Sequence, residues 1–220
     1  MKKLYSVSAV VIFILIIVSS TASASTLNVG STAKYKTIQS AVNAAKDGDT
    51  IKVASGTYKE NVKMDKALSI LGTKYPKVNG FYYYGGGSTV NGFLIQKDGI
   101  SSSYAGGGVI RNNYFYNCGI SLAGGTASAT IMNNQIKGGT IYLYDTRDET
   151  IIGNTISNSK CGLHVGDMAS IPTVSKNTFK NCKTAVYFYG WEQSPGQLKT
   201  FTGNKYINNK VNIGWGMKTL

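Results

Sequence analysis

The sequence predicts an all-β chain: one parallel β-helix, a solenoid of short stacked strands, with a short helix capping its N-terminal end. Three observations predict it. An asparagine motif recurs at a period in the low twenties, a short amphipathic stretch precedes it, and brief β-branched and aromatic runs fill the rest. The motif copies read Ile110-Arg-Asn-Asn113-Tyr-Phe115, Ile131-Met-Asn-Asn134-Gln-Ile136, Ile151-Ile-Gly-Asn154-Thr-Ile156, Val174-Ser-Lys-Asn177-Thr-Phe179 and Phe201-Thr-Gly-Asn204-Lys-Tyr206. Their asparagines are 21, 20, 23 and 27 residues apart. Such a period, with apolar runs around a fixed polar turn, marks repeats that stack. The runs are too β-branched and aromatic, and too poor in helical spacing, for helical repeats.

Residues 1–24 read as a signal peptide, leaving 25–220 as a single β-helix domain. Lys2 and Lys3 precede an apolar run from Val7 to Val18, and a small-residue stretch ends in Ala22-Ser-Ala24. An uncleaved anchor is the alternative, but the run is short for a membrane span and no second one follows. The expected protein is secreted or at the cell surface, with no membrane span after cleavage.

The helix is expected next. In Tyr35-Lys-Thr-Ile38-Gln-Ser-Ala41-Val42-Asn-Ala-Ala45-Lys-Asp-Gly48, the residues Ile38, Ala41, Val42 and Ala45 form an apolar stripe at i, i+3, i+4 and i+7. Thr37 suits the N-cap, and Gly48 suits the left-handed residue that ends a helix. The helix serves as a lid over a first rung whose core and edge are otherwise open.

Rungs follow. Strands are expected at Thr50-Ile-Lys-Val53, near Val62 and at Leu68-Ser-Ile70, with a turn at Ala54-Ser-Gly-Thr-Tyr58. Val78-Asn-Gly-Phe81 and Val90-Asn-Gly-Phe-Leu-Ile95 are similar to each other. The second aligns with the repeat and puts Phe93 at the asparagine position. About eight or nine rungs fit a period near 22 residues. The repeat asparagine is expected to supply the left-handed bend between strands, which asparagine adopts most readily outside glycine. Stacked amides can also hydrogen-bond as a ladder. A second polar column lies four residues on, at Asn117, Gly138, Asn158, Asn181 and Asn208.

Cys118, Cys161 and Cys182 are expected as core-filling thiols. Cys118 and Cys182 share a register but lie three rungs apart, about 14 Å, too far for a disulfide. Cys161 is two residues out of that register. Neither metal spacing nor a catalytic motif surrounds them.

Lys and Arg total 23 against 10 Asp and Glu, a net +13; the signal segment takes away Lys2 and Lys3 and no acid, leaving +11. The lysines are scattered, which suits either a solvated surface or contact with a polyanion. For an exported chain that polyanion is polysaccharide or cell-wall glycan, possibly acidic, and not nucleic acid.

Stacking the rungs on their asparagines defines one outward surface. Ile120/Leu122, Ile141/Leu143, Leu163/Val165, Val186/Phe188 and Val211/Ile213 point inward. Strand alternation then sends Ser121, Tyr142, His164, Tyr187 and Asn212 outward. The next outward column is Ala123, Tyr144, Gly166, Tyr189 and Gly214. Asp145 and Asp167 fall on adjacent rungs one residue further, and Trp191 stands just beyond Gly190. Tyr142, Tyr144, His164, Tyr187, Tyr189 and Trp191 are the candidate carbohydrate-binding residues, since their flat apolar faces and polar tips suit sugar rings. Such aromatics also stack simply to cover a sheet.

The opening motif adds a family resemblance. Tyr35-Lys-Thr-Ile-Gln-Ser-Ala-Val, then Gly48-Asp-Thr-Ile51 and Ala54-Ser-Gly-Thr-Tyr58-Lys-Glu-Asn-Val62, resembles the cap and first rung of pectin methylesterases. It is equally similar to exported β-helix surface proteins, including archaeal ones and the periplasmic copper-processing NosD type. The resemblance is to the pectin lyase-like superfamily and implies a right-handed parallel β-helix. It does not carry that superfamily's chemistry. The Gly-Thr-Val-Asp-Phe and Gly-Arg-Pro-Trp segments of the methylesterases do not occur, nor do the Asn-Thr-Asp and Asp-Asp pairs of polygalacturonases. The only arginines are Arg111 and Arg147.

Two function classes follow. The first is an exported module, non-catalytic, binding carbohydrate or forming part of the cell surface. The alternative is a small polysaccharide lyase or glycoside hydrolase acting on an acidic glycan. In that case His164, the only histidine, is acid or base, with Asp145, Asp167 or Arg147 beside it. Asp145, Asp148, Glu149 and Asp167 would otherwise suit calcium, the one cofactor considered.

Overall fold

A computed structural model describes residues 23–84, 86–103, 106–190 and 196–216. The expected signal segment falls in residues that lie, up to residue 22, outside the described ones, as does Trp191. Among the described residues, no helix is long and apolar enough to cross a membrane.

One nine-stranded sheet runs the length of the molecule, from Thr26–Val29 through Thr50–Val53, Ser69–Gly72, Thr89–Asn91, Val109–Arg111, Thr130–Met132, Thr150–Ile152 and Thr173–Ser175 to Phe201–Thr202. Neighbours pair in parallel, as a β-helix requires. A thirteen-stranded sheet closes the other sides. It begins as long strands, Thr57–Met64, Lys77–Tyr83 and Leu94–Ser103, and then forks. Leu94 to Gln96 pair with Tyr114–Tyr116, while Ile100 to Ser103 pair with Ile120–Ala123. The second branch continues through Ile141–Leu143, Cys161–Val165, Thr184–Tyr189 and Val211–Gly216. Asn117, Gly138, Asn158, Asn181 and Asn208 make the fork: all have φ between 51° and 75°, a left-handed bend that separates the branches.

The core is a set of stacked columns. Ile51, Ile70, Val90, Ile110, Ile131, Ile151 and Val174 are buried on successive strands of the first sheet. Ile95, Phe115, Ile136, Ile156 and Phe179 do the same on the first branch, and Phe93 takes an asparagine position, its N–H donating to Asn113 Oδ1 at 3.0 Å. The three cysteines are buried and free, as their register implied.

The repeat asparagine differs from expectation in one respect. The left-handed residue is the one before it, at Asn112, Asn133, Gly153, Lys176 and Gly203, with φ from 53° to 68°. That bend turns the following side chain inward. Asn113, Asn134, Asn154 and Asn177 are at most 2% exposed. Each amide donates back across the rung, as Asn134 Nδ2 does to Ile110 O at 2.8 Å. Each carboxamide oxygen accepts from the preceding asparagine, as Asn154 Oδ1 does from Asn134 N and Nδ2 at 2.9 and 3.0 Å. The ladder is complete, so a polar column inside the core leaves no unmet demand.

The capping helix runs Ile38–Ala44 and buries Ile38, Ala41 and Val42. Thr37 accepts from Ser40 N at 3.1 Å, as predicted, and Glu60 on the first rung accepts from Ile38 N and Gln39 N at 3.0 and 2.9 Å. Gly48 does not end the helix. Ala45 leaves it in extended conformation, and Gly48 (φ 85°) turns the chain into the first rung, donating to Ala67 O at 2.7 Å.

Candidate functional site

The outward surface of the second branch forms as the repeat predicts over its middle rungs. Ser121 pairs with Tyr142, Tyr142 with His164, and His164 with Tyr187. The last rung departs. Tyr187 pairs with Gly214 and Phe188 with Trp215, so the inward pair is Ile213 and Trp215 in place of Val211 and Ile213. Asn212 and Gly214 therefore do not hold the positions assigned to them. The rung keeps the offset of the two before it, nine and eleven residues after its asparagine; Trp215 stacks on Phe188 with centroids 4.2 Å apart and planes 10° from parallel, while Val211 is left exposed.

This shift decides how Tyr187 sits. A Cβ at Gly214 would lie 3.0 Å from Tyr187 Cδ2, and one at Gly216 would lie 3.3 Å from its hydroxyl oxygen. The ring lies down across these glycines and is 5% exposed, a buried wall and not the exposed platform expected of it. Tyr144 likewise lies over Gly166, 3.1 Å from a Cβ built there, but stays 38% exposed. Its hydroxyl donates to Met168 Sδ at 3.2 Å, and Met168 is itself exposed.

His164 is enclosed by tyrosines. Its ring meets Tyr142 edge to face at 4.7 Å and Tyr187 at 5.6 Å, with Tyr189 tilted at 6.0 Å. Its Nε2 is buried without a hydrogen-bond partner. Burial pushes the imidazole below its ordinary value, so the ring is neutral at neutral pH. Burial also raises the Tyr142 phenol, and negative charge at Tyr144, Asp167 and Tyr189 adds to the effect. Asp167 thus stands near Tyr142, and it packs against Gly190 of the next rung.

No hydrogen bond joins His164 Nε2 to Asp145, Asp167 or Arg147. Arg147, Asp148 and Asp167 are exposed, while Glu149 is fully buried. Glu149 accepts from Arg147 N at 3.1 Å through one oxygen, and its other oxygen and the Thr146 hydroxyl have no partner. Burial pushes the Glu149 carboxyl up. Among the described residues, no three of His, Cys, Asp and Glu gather where a metal ion would need them, so the four acids considered for calcium do not converge.

Sequence reasoning passed over the earlier half of the same surface. Lys63, Tyr82, Ser101 and Ser121 align there rung by rung, and two depressions of about 280 and 300 Å³ adjoin at Asp98. The asparagine motif, which begins in full at Asn113, gave no ruler for these rungs. A further hollow of about 400 Å³, lined by Tyr75, Tyr114 and Gln135, opens on the corner outside the left-handed Asn112 and Asn133.

The family described as "Periplasmic copper-binding protein (NosD)" matches residues 42–218. The solved pectin methylesterase of Aspergillus niger is similar at 15% identity and a TM-score of 0.36, over 83% of this chain and 84% of that one. No curated protein sequence matches the chain.

Proposed function

The chain belongs to the NosD family, and from that premise we propose that it is an exported, non-catalytic β-helix module whose aromatic surface binds carbohydrate or helps to build the cell surface. One observation carries the reading: Tyr142, Tyr144, His164, Tyr187 and Tyr189 cluster on three consecutive rungs of a rigid sheet. The exposed Tyr144 and the half-buried Tyr142 and Tyr189 offer ring faces, while Tyr187 and His164 hold them in place. Stacking on preorganised rings costs little ordering entropy, which suits sugar recognition.

The alternative, a lyase or hydrolase, needs a reachable base with a partner that orients it. His164 Nε2 is sealed among rings and lacks that partner. The family description names copper. A resident copper ion needs converging imidazole, thiolate or thioether donors. Here burial pushes the Cys118 and Cys182 thiols up and Cys161 up to about 12, holding all three protonated at neutral pH. No three of His, Cys, Asp and Glu gather among the described residues. The imidazole and thiol donors do not fit such an ion.

A glycan array probed with the mature protein tests the proposal, with the Tyr144→Ala/Tyr189→Ala double variant alongside. Binding that drops about tenfold or more in the variant supports it. Incubation with acidic polysaccharides, followed by ultraviolet absorbance and by reducing ends, tests the alternative. Product that forms with the native protein and is lost in His164→Ala would overturn the non-catalytic reading.

A further inference from the structure

The rungs that precede the aromatic cluster carry a furrow on the same surface. Its outward column reads Lys63, Tyr82, Ser101, Ser121, Tyr142, one residue per rung. Tyr82 and Tyr142 stand three rungs apart, about 14 Å, and only two serines lie between them. Beside the serines, a Cβ at Gly99 would collide with Gly119 O, and one at Gly119 with Thr140 O, so no side chain rises there. The relief comes from tall tyrosines at both ends and small residues between.

The two depressions on this stretch meet at Asp98. At one end Tyr82 and Tyr84 pack edge to face, centroids 4.3 Å apart, and Tyr84 is 55% exposed. Tyr142 closes the other end. Asn61, Asp98, Ser101 and Ser121 are among the polar groups that line the two hollows. Asn61 Nδ2 donates to Asp98 Oδ2 at 2.8 Å, the Tyr82 hydroxyl donates to Ser103 Oγ at 3.2 Å, and Ser101 and Ser121 border the two hollows. Aromatic walls around a few fixed polar groups are the usual make-up of a small-ligand site.

Charge decides which ligand. Lys63 is the one cation among the residues that line the furrow, and Asp98 sits where the hollows join. Lys52 lies on the first sheet, and Lys137 and Lys180 lie on the other branch. A polyuronate laid here would bring its carboxylates against Asp98 with no basic cluster to offset them.

We infer that the furrow between Tyr82/Tyr84 and Tyr142 is a binding subsite for a neutral, hydroxyl-rich glycan chain, seated on the tyrosine rings and hydrogen-bonded through Asp98, Ser101 and Ser121. The inference rests on the carbohydrate-binding reading above and names its substrate class as neutral.

Titration calorimetry with neutral cello- and manno-oligosaccharides and with an oligogalacturonate tests it. Ser121→Tyr fills the furrow while extending a column that already holds Tyr142 and Tyr82. Asp98→Ala removes an exposed carboxylate without touching the core. The expected result is that a neutral oligosaccharide binds with little dependence on salt, about tenfold more weakly in Ser121→Tyr and severalfold more weakly in Asp98→Ala. Preference for the oligogalacturonate with strong salt dependence overturns the inference. So does native-like binding by both furrow variants when Tyr144→Ala/Tyr189→Ala has lost it, an outcome that leaves the aromatic-surface reading standing. Failure of the native protein to bind any of these sugars overturns both.

Discussion

Two stacked columns run through this molecule, one inside and one outside, and they treat polar atoms in opposite ways. In the asparagine ladder, each amide from Asn113 to Asn177 is buried and meets both a carbonyl and the next amide. Outside the ladder, some demand goes unmet. The buried atoms without partners among the described residues are Tyr83 Oη, Thr146 Oγ1, Glu149 Oε2 and His164 Nε2, and none belongs to the ladder. Buried polar groups are nearly always satisfied; of these four, Tyr83 lies in the core, Thr146 and Glu149 at the corner, and His164 on the outward column. The ladder is architecture; the outer column is where function is to be sought.

The largest expected effect breaks the ladder. Asn154→Ala strips the acceptor from Asn134 N and Nδ2, and the donor from Ile131 O and Asn177 Oδ1. With several buried groups orphaned together, the loss is about 3–5 kcal/mol. Urea denaturation measures it, and a loss below about 1 kcal/mol would show that the ladder is decoration.

A smaller effect of opposite sign is expected at the corner. Burial raises the folded-state value of Glu149 above its unfolded one. Its contribution is therefore fully present below the ordinary carboxylate value and is lost as pH rises through the folded value. Glu149→Gln keeps the acceptor for Arg147 N and removes that loss, so it should raise stability by about 1–2 kcal/mol at neutral pH. The gain should vanish in acid. Thermal melts of both proteins across the acidic to neutral range check this, and a variant less stable at neutral pH would refute it.

The smallest effect is at the histidine, and it runs the other way with pH. Burial lowers the His164 value, so its contribution is full above the unfolded value near 6.5 and falls as pH drops below it. His164→Leu fills the same space without the unpartnered nitrogen. Stability at neutral pH should change by no more than about 1 kcal/mol, and the native protein's decline in mild acid should lessen in the variant. An equal decline in both would move the titrating group elsewhere.

How much of this was legible in the chain differs by rung. From Asn113 to Asn177 the repeat placed the strands on either side of each asparagine turn and the Tyr142–His164–Tyr187 register, because parallel stacking leaves one alignment that keeps the aliphatic residues inside, but not the short corner pair Thr126–Ala127 and Thr146–Arg147. It misplaced the last rung by two residues. Val211 and Ile213 stand seven and nine residues after Asn204, as on the earlier rungs, but Ile213 and Trp215 keep the nine and eleven of the Asn154 and Asn177 rungs, and Trp215 stacks on Phe188. It also put the left-handed residue one position late, since asparagine suits both the bend and the ladder, and only Lys176 and the glycines show which position bends.

By itself the sequence determined the architecture: the solenoid, its cap, the register of the middle rungs and the burial of the cysteines. These follow from periodicity, and periodicity is written in one dimension. The tertiary structure alone decided which outward residues are available. Tyr187 lies flat because Gly214 and Gly216 lie under it, His164 is sealed because three tyrosines close around it, and the furrow exists because Ser101 and Ser121 fall between tyrosines of other rungs. Each depends on what stands one or more rungs away, at roughly 4.8 Å steps, a distance that spacing along the chain does not encode.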